Sequence, residues 1–376
     1  MKAVHGIDEL GPDRPMLVWV LVPCPENSEP ALDYYSDYSQ SRDEFERAFA
    51  ALSIAWEWLP VTASSIQDAV DAVVRSADTH SPVAFNLCDG DEVNGTPGIA
   101  VVRALEAAGL AYTGADASFY HVTTSKIDMK HAFDAAGVST SPWEEVRAGD
   151  GYDPLVFERI GRPLIVKPAV SAGSMGITVH SVVESDASLR AQLLALEEGY
   201  KGWNLTSGGV LVERFIAGPE FTTFIVGPAH DMARCRVYPS VERVFHQGLP
   251  ASEQFLSYDR LWEVYEREAA IGDGEYLWQY RIAPAELQER LGSLSLEAYR
   301  AVAGRGYGRV DLRMDAATGE LFVLEVNAQC GLSEDEDYTS IGAILRVAGV
   351  SFRELVMQII NDALLAAAQA IPEVVS

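Results

Sequence analysis

The sequence predicts an α/β protein that opens with a parallel α/β domain. Three observations carry that expectation. Strand-like apolar runs and helical-period segments alternate over roughly the first 120 residues, which is the pattern of βαβ units. From residue 162 the character changes, and two strand-like runs flank a Gly-rich loop. Near the C-terminus, "VDLRMDAATGELFVLEVNAQCG" (310–331) joins two apolar runs through a turn, with charge at every second position.

"MLVWVLVP" (16–23) is a short continuous apolar run, as expected of a buried strand. "SRDEFERAFAAL" (41–52) has helical spacing, and "PVAFNLCDG" (82–90) reads as a second buried strand ending in a Gly turn. "TPGIAVVRALEAAGL" (96–110) is a helix with Pro97 near its start and Gly109 near its end. "TSKIDMKHAFDAAGV" (124–138) is another, with Thr124 or Ser125 as N-cap. "RPLIVKPAVSAGSMGITVHSV" (162–182) then gives strand, small-residue loop and strand. A helix (186–199), the strand pair "GVLVERFIAGPEFTTFIVG" (209–227), a variable stretch to 285 and the helix "PAELQERLGSLSLEAYRAVA" lead to the charged hairpin. The closing "FRELVMQIINDALLAAAQAI" reads as a packed amphipathic helix.

The bulk numbers bound the function. A chain of 376 residues, 48% apolar and 22% charged, is a soluble globular protein of two or three domains. A formal net charge of −27 argues against nucleic acid and anionic membranes as partners. An anionic ligand therefore needs locally concentrated cations. Cys24, Cys88, Cys235 and Cys330 are far apart, without zinc or disulfide spacing. The N-terminus lacks the apolar core of a signal peptide. No apolar run approaches the roughly 20 residues of a membrane span. A cytoplasmic protein with reduced thiols is expected. No GxGxxG follows the early strands, which argues against a dinucleotide-dependent oxidoreductase.

Three stretches carry chemistry. In the hairpin, Arg309, Asp311 and Arg313 share one strand face, and Glu325 and Asn327 share one face of the partner strand. Carboxylate and amide oxygens are the ligands Mg²⁺ takes alongside phosphate oxygens. The alternative is a solvated sheet face. Against that stand Val310, Leu312, Val323, Leu324 and Val326, which mark buried strands where carboxylates need a cation or hydrogen-bond donor. In "LIVKPAVSAGSMGITV", Gly173, Ser174 and Gly176 free backbone N–H groups for a phosphate, and Lys167 adds a point charge on the strand face of Ile165. It is not a Walker A loop, and a plain hairpin turn is the alternative. In "VLVERFIAGPEF", Glu213 interrupts an apolar strand and Glu220 follows a Gly-Pro turn. They read as acceptors for the adenine amine and ribose hydroxyls, or as a pair of surface glutamates.

In this order the motifs resemble the ATP-grasp superfamily, and within it the D-alanine–D-alanine ligases and related carboxylate–amine ligases. The stretches "FNLCDGDEVNGTPG", "LEAAGLAYTGA", "SKIDMKHAFDAAGV", "PLIVKPAVSAGSMG", "VLVERFIAGPEFT", "GRVDLRMD" and "LEVNAQCGLS" carry the resemblance across residues 80–332. It implies three domains: an N-terminal α/β domain (1–122), a central lobe with the Gly-rich loop (123–208) and a C-terminal lobe with the metal site (209–376), the last two clamping ATP. It implies that Lys126, Lys167 and the backbone of Ser174 meet ATP phosphates. Glu213 and the backbone near Phe215 and Ile216 would hold adenine, sandwiched by Ile165, Phe215 and Leu324, and Glu220 would hold ribose. Asp311, Glu325 and Asn327 would hold two Mg²⁺ ions, with Mn²⁺ as an alternative. Arg309 would steady an acyl phosphate formed from the substrate carboxylate, which an amine then attacks to give an amide and ADP. The resemblance also admits a homodimer.

Several departures from the family pattern bear on the substrate. The Ser-rich loop after the metal Asn reads "GLSEDEDYTS", which suits a cationic or amine-bearing group better than a carboxylate. Gly331, Glu334 and Glu336 are candidates there, and Glu26 and Glu29 are candidates in the altered N-terminal loop. The family's HGxxGEDG segment becomes "CDGDEVNGTPG", without the His. Arg260 stands near the place of the lysine that ends the family's ATP-covering loop. A divergent ligase acting on other amino-acid-type substrates in specialised metabolism is expected. The alternatives are an authentic D-alanine–D-alanine ligase, an ATP-grasp kinase or synthetase with a non-amine acceptor, and a nucleotide-binding protein without turnover.

Overall fold

The N-terminal apolar run forms β1 (Met16–Pro23), the second strand of a parallel sheet. A computed structural model describes residues 14–24, 26, 37–91, 94, 97–146, 153, 155–263, 265, 266, 268, 270 and 276–370. Helix α1 (Ser39–Leu52) leads to β2 (Ala55–Val61), and α2 (Ile66–Ser76) leads to β3 (Ser81–Asn86). Helix α3 (Ile99–Ala107) precedes the two-residue β4 (Ala111–Tyr112). The sheet order is β2-β1-β3-β4, all parallel. Side chains of β1 alternate between two cores: Val18, Val20 and Val22 join one with Phe45, and Leu21 joins another with Val70 and Leu105. Burial on both faces is why this strand has no polar position. Each such side chain contributes about 1.5–3 kcal/mol.

Helices α4 (Ala117–Thr124) and α5 (Lys126–Ala136) follow. Ser125 is the N-cap of α5, its hydroxyl accepting from Asp128 N. The central sheet has the order β5-β8-β6-β7, built from β5 (Trp143–Val146), β6 (Leu164–Pro168), β7 (Val182–Val183) and β8 (Val210–Arg214). It is covered by α6 (Val156–Ile160) and α7 (Asp186–Glu198). Two expectations change here. The run after the Gly-rich loop is mostly loop and 3-10 turn, and only two residues pair with β6. The two strands of 209–227 do not pair with each other. β8 completes the central sheet, past the expected boundary at 208, and β9 (Glu220–Val226) enters the next sheet.

That sheet runs β12-β11-β9-β13-β14, with β10 (Arg236–Val237) also on β9. Its members β11 (Val241–Phe245) and β12 (Trp278–Ile282), with the short α8 (Tyr258–Leu261) between them, lie in the stretch that showed no pattern in the sequence. Helix α9 (Ala285–Ala301) covers one face of β13 (Tyr307–Met314) and β14 (Leu321–Ala328). Helices α10 (Ser340–Ala348) and α11 (Phe352–Ala370) pack with α1 and β1, tying this lobe to the N-terminal domain. No helix among the described residues is long and apolar enough to cross a membrane.

Candidate active site

Residues adjoining all three sheets line a cleft of about 540 Å³. The hairpin supplies its floor. β13 and β14 pair antiparallel with Arg309 opposite Asn327 and Asp311 opposite Glu325, so the polar face is continuous across both strands. The register shifts after Asp311, and Leu312 then faces Val323. Leu324 is the extra residue of a bulge. A bulge re-aims side chains, and Leu324 and Glu325, although consecutive, both line the cleft.

Arg309 donates from Nε and Nη2 to one oxygen of Asp311, at 3.1 and 2.9 Å. Thr222 Oγ1 donates to the other at 2.9 Å. Asn327 Nδ2 reaches Asp311 at 3.0 Å and Glu325 at 3.2 Å. Burial, joined by the neighbouring Glu325, holds the Asp311 carboxyl above its ordinary range against the pull of Arg309. Burial also acts to raise Glu325, but Lys126, Lys167 and Arg309 outweigh it and leave that carboxyl low. Among the described residues no three His, Cys, Asp or Glu side chains converge as a self-sufficient metal site. Two carboxylates and an amide are an oxygen-donor set that fits Mg²⁺ once phosphate oxygens complete the shell.

The opposite wall is cationic. Lys126 opens α5, its Nζ 3.3 Å from Ser171 O and 3.9 Å from Glu325. Lys167 donates to Glu213 at 2.7 Å. Between β6 and β7, Gly173 (φ 53°) and Ser174 (φ 60°) both lie in the left-handed region, which turns the loop toward the cleft. Ser171 Oγ, in the same loop, is buried with no partner among the described residues. The loop is held from above: Ser174 Oγ donates to Leu256 O at 3.0 Å, and Trp262 Nε1 to Gly173 O at 2.9 Å. Ile165, Phe215, Ile216 and Leu324 supply an apolar slot at this end.

Lys126, Ile165, Lys167, Ser174, Glu213, Phe215, Ile216, Glu220, Arg309, Asp311, Leu324, Glu325, Asn327 and Gly331 all line the cleft. Other expected site residues lie elsewhere, and two of the lining residues, Glu213 and Glu220, are already engaged. Arg260 is not among the lining residues. It is 4% exposed and bound to Glu253 (2.7 Å) and Glu268 (3.1 Å). Glu26 accepts from the backbone and hydroxyl of Ser64. Glu29 lies outside the described residues. Glu334 pairs with Arg47 at 2.8 Å and Glu336 with Arg346 at 3.6 Å, both on the surface and outside the cleft lining. Glu213 was expected to accept from adenine, but its two oxygens already take Lys130, Lys167 and Ser141. Glu220 is engaged by Arg243 and Arg313.

Arg243, Asp37, Asp89, Asp91 and Tyr120 also line the cleft and were missed. Arg243 sits on β11, inside the stretch with no legible pattern. Arg313 shares the strand face of Arg309 and Asp311, and its role is visible only in the structure. It donates to Glu220 at 3.0 Å and Ile216 O at 2.9 Å, and lies 5.0 Å over the Phe215 ring, fixing the segment between β8 and β9. Glu220→Ala would leave two buried guanidinium groups without their carboxylate. We expect a loss of about 3–5 kcal/mol, measured by urea unfolding at pH 7. Burial opposes ionisation of Glu220, yet the two arginines hold its carboxyl below the ordinary 4.5. Its stabilising contribution is therefore full above that value and lost as pH falls through the folded-state pKa.

Comparisons with known proteins agree with this architecture. The family model described as D-ala D-ala ligase C-terminus matches residues 132–361. The D-alanine–D-alanine ligase of Desulforudis audaxviator is 33% identical over 263 residues, covering 70% of this chain and 76% of that protein. The chain belongs to the D-alanine–D-alanine ligase family. The enzyme of that name from Xanthomonas axonopodis pv. citri is 30% identical over 74% of this chain and 77% of its own. The crystal structure of D-alanine–D-alanine ligase from Bacillus anthracis complexed with ATP shares the fold, with a TM-score of 0.65 and 20% identity over 94% of this chain and 99% of that one. As a member of this family the chain is an ATP-grasp, ADP-forming carbon–nitrogen ligase.

Proposed function

We propose that this ligase forms an amide through an acyl phosphate, on amino-acid-type substrates other than a pair of D-alanines. ATP phosphates lie between Lys126, Lys167 and the loop at Ser174, with the base in the slot of Ile165, Phe215, Ile216 and Leu324 and the ribose beside Glu220. Asp311, Glu325 and Asn327 would hold two Mg²⁺ ions, whose charge would offset that developing on the transferred phosphoryl group. Arg309 steadies the acyl phosphate and the tetrahedral intermediate.

The observation that carries the substrate reading is the charge of the cleft wall that the N-terminal segments supply. Asp37, Asp89 and Asp91 line it, with Tyr38, Ser41 and Tyr120. The sequence around these residues has no Lys or Arg between Arg14 and Arg42, nor between Arg75 and Arg103. Burial pushes the Asp89 carboxyl up to about 6. Such a wall favours ammonium groups and disfavours a second free carboxylate. This shifts the expected amine contact from the exposed Glu334 and Glu336 to these aspartates.

The test is phosphate and ADP release with Mg-ATP over pairs of amino acids and amines, with products read by mass spectrometry. A product equal to both substrates minus water, formed best from a partner with an extra ammonium, supports the reading. The names and 30–33% identity of the relatives favour D-alanyl-D-alanine as the second reading. That dipeptide forming in preference to all others would replace the first. Consumption of ATP with only a phosphorylated product would indicate a kinase.

A further inference from the structure

We propose that Lys130, which does not line the cleft, is a positioning residue that keeps the charge of Lys167 free for the phosphates of ATP. The inference rests on the reading of the cleft as the Mg-ATP site. Lys130 stands one turn after Lys126 on α5 and outside the cleft lining. Its side chain is 1% exposed and its Nζ lies 2.6 Å from Glu213 Oε2, itself 1% exposed. Glu213 Oε1 receives Lys167 Nζ at 2.7 Å. One carboxylate thus stands between two ammonium groups, and the group of three carries a net charge of +1.

That sum decides what the phosphates meet. With Glu213 alone, Lys167 would be half of a neutral pair, and a phosphate would have to compete with a buried carboxylate for the same ammonium. With Lys130 on the far side, Glu213 is neutralised from below. It can hold Lys167 in place without cancelling it. Burial brings the Lys130 ammonium below its ordinary range despite the pull of Glu213, and it opposes ionisation of Glu213, which Lys130 and Lys167 nonetheless hold far below the ordinary carboxylate range.

The remaining protons of Lys130 are also used. Nζ donates to Thr140 Oγ1 and, at 3.3 Å, to Ser141 Oγ. Ser141 Oγ in turn donates to Glu213. Thr140 Oγ1 donates to Val323 O at 2.8 Å, two residues before Glu325. The same ammonium therefore joins the strand of Glu213 to the strand carrying the metal carboxylate. Buried ion pairs are often replaceable by apolar residues at no cost in stability. A fully bonded lysine under the phosphate site is therefore better explained by what it does to Lys167 than by the fold.

The experiment measures Mg-ATP and adenosine binding by calorimetry to the native chain, Lys130→Met and Lys130→Arg, with circular dichroism as a check on folding. Lys130→Met is expected to weaken Mg-ATP by about tenfold or more while adenosine stays within about twofold, because only the phosphates feel the lost charge. Lys130→Arg keeps the charge and is expected to bind Mg-ATP within about threefold of native. Native-like Mg-ATP affinity in Lys130→Met would overturn the proposal, as would equal losses for adenosine and Mg-ATP. If Lys130→Met does not fold, Lys130→Arg decides, and a tenfold loss in that folded variant overturns the charge argument. Failure of the native chain to bind Mg-ATP would instead remove the reading of the cleft itself.

Discussion

Glu325→Gln is expected to lower kcat/KM by about 10³-fold or more while leaving the fold intact. The side chain keeps its size and its place opposite Asp311. What it loses is the negative charge that Lys126, Lys167 and Arg309 hold ionised against burial. In the proposed complex that charge faces a divalent ion, and an amide oxygen is a far weaker ligand for a hard cation than a carboxylate. The side chain is a quarter exposed and its ion pair with Lys126 is long, at 3.9 Å, so neutralising it removes little native-state stabilisation. Steady-state phosphate release and thermal unfolding together check the prediction. Activity near native in Glu325→Gln would remove the hairpin from the catalytic site.

The hairpin was legible because strand geometry leaves its own mark on sequence. Alternation with period two places Arg309, Asp311, Glu325 and Asn327 on one side, and apolar neighbours say that side is enclosed. The Gly-rich loop was legible for a similar reason, since small residues after a strand leave few roles open. The bulge was not. Nothing in "LFVLEVN" says that Leu324 and Glu325 both face the cleft, because the register shift is set by the pairing with β13. Arg260 illustrates the opposite failure. A cation in the right place in the chain was read as a site residue, whereas Glu253 and Glu268, close in sequence, bury it as a structural pair. Glu334 and Glu336 read as substrate contacts from charge alone, but Arg47, distant in sequence, and Arg346, ten residues on, pair with them at the surface. Lys130 did leave a signal. It shares the buried face of α5 with Ile127 and Phe133, and a lysine on an apolar helix face requires a buried partner.

Removing the guanidinium of Arg309 tests the chemistry, where Glu325→Gln tests metal binding. Two of its nitrogens are committed to one oxygen of Asp311, and Nη1 has no partner among the described residues. Arg309 lines the cleft with Asp311 and Glu325, so in the proposed complex that donor would meet the charge developing on the acyl phosphate and on the tetrahedral intermediate. Arg309→Ala is expected to lower kcat by about 10²–10³-fold, the range for loss of one such donor, with a smaller change in KM for ATP. Arg309→Lys separates charge from geometry. A lysine keeps the charge beside Asp311 but cannot hold that carboxylate and present a second donor in a fixed plane. Its kcat should therefore fall between the native and alanine values. If Arg309→Lys matches the native kcat, only charge balance with Asp311 is required at this position. If Arg309→Ala also matches it, the arginine serves the strand and has no part in the reaction.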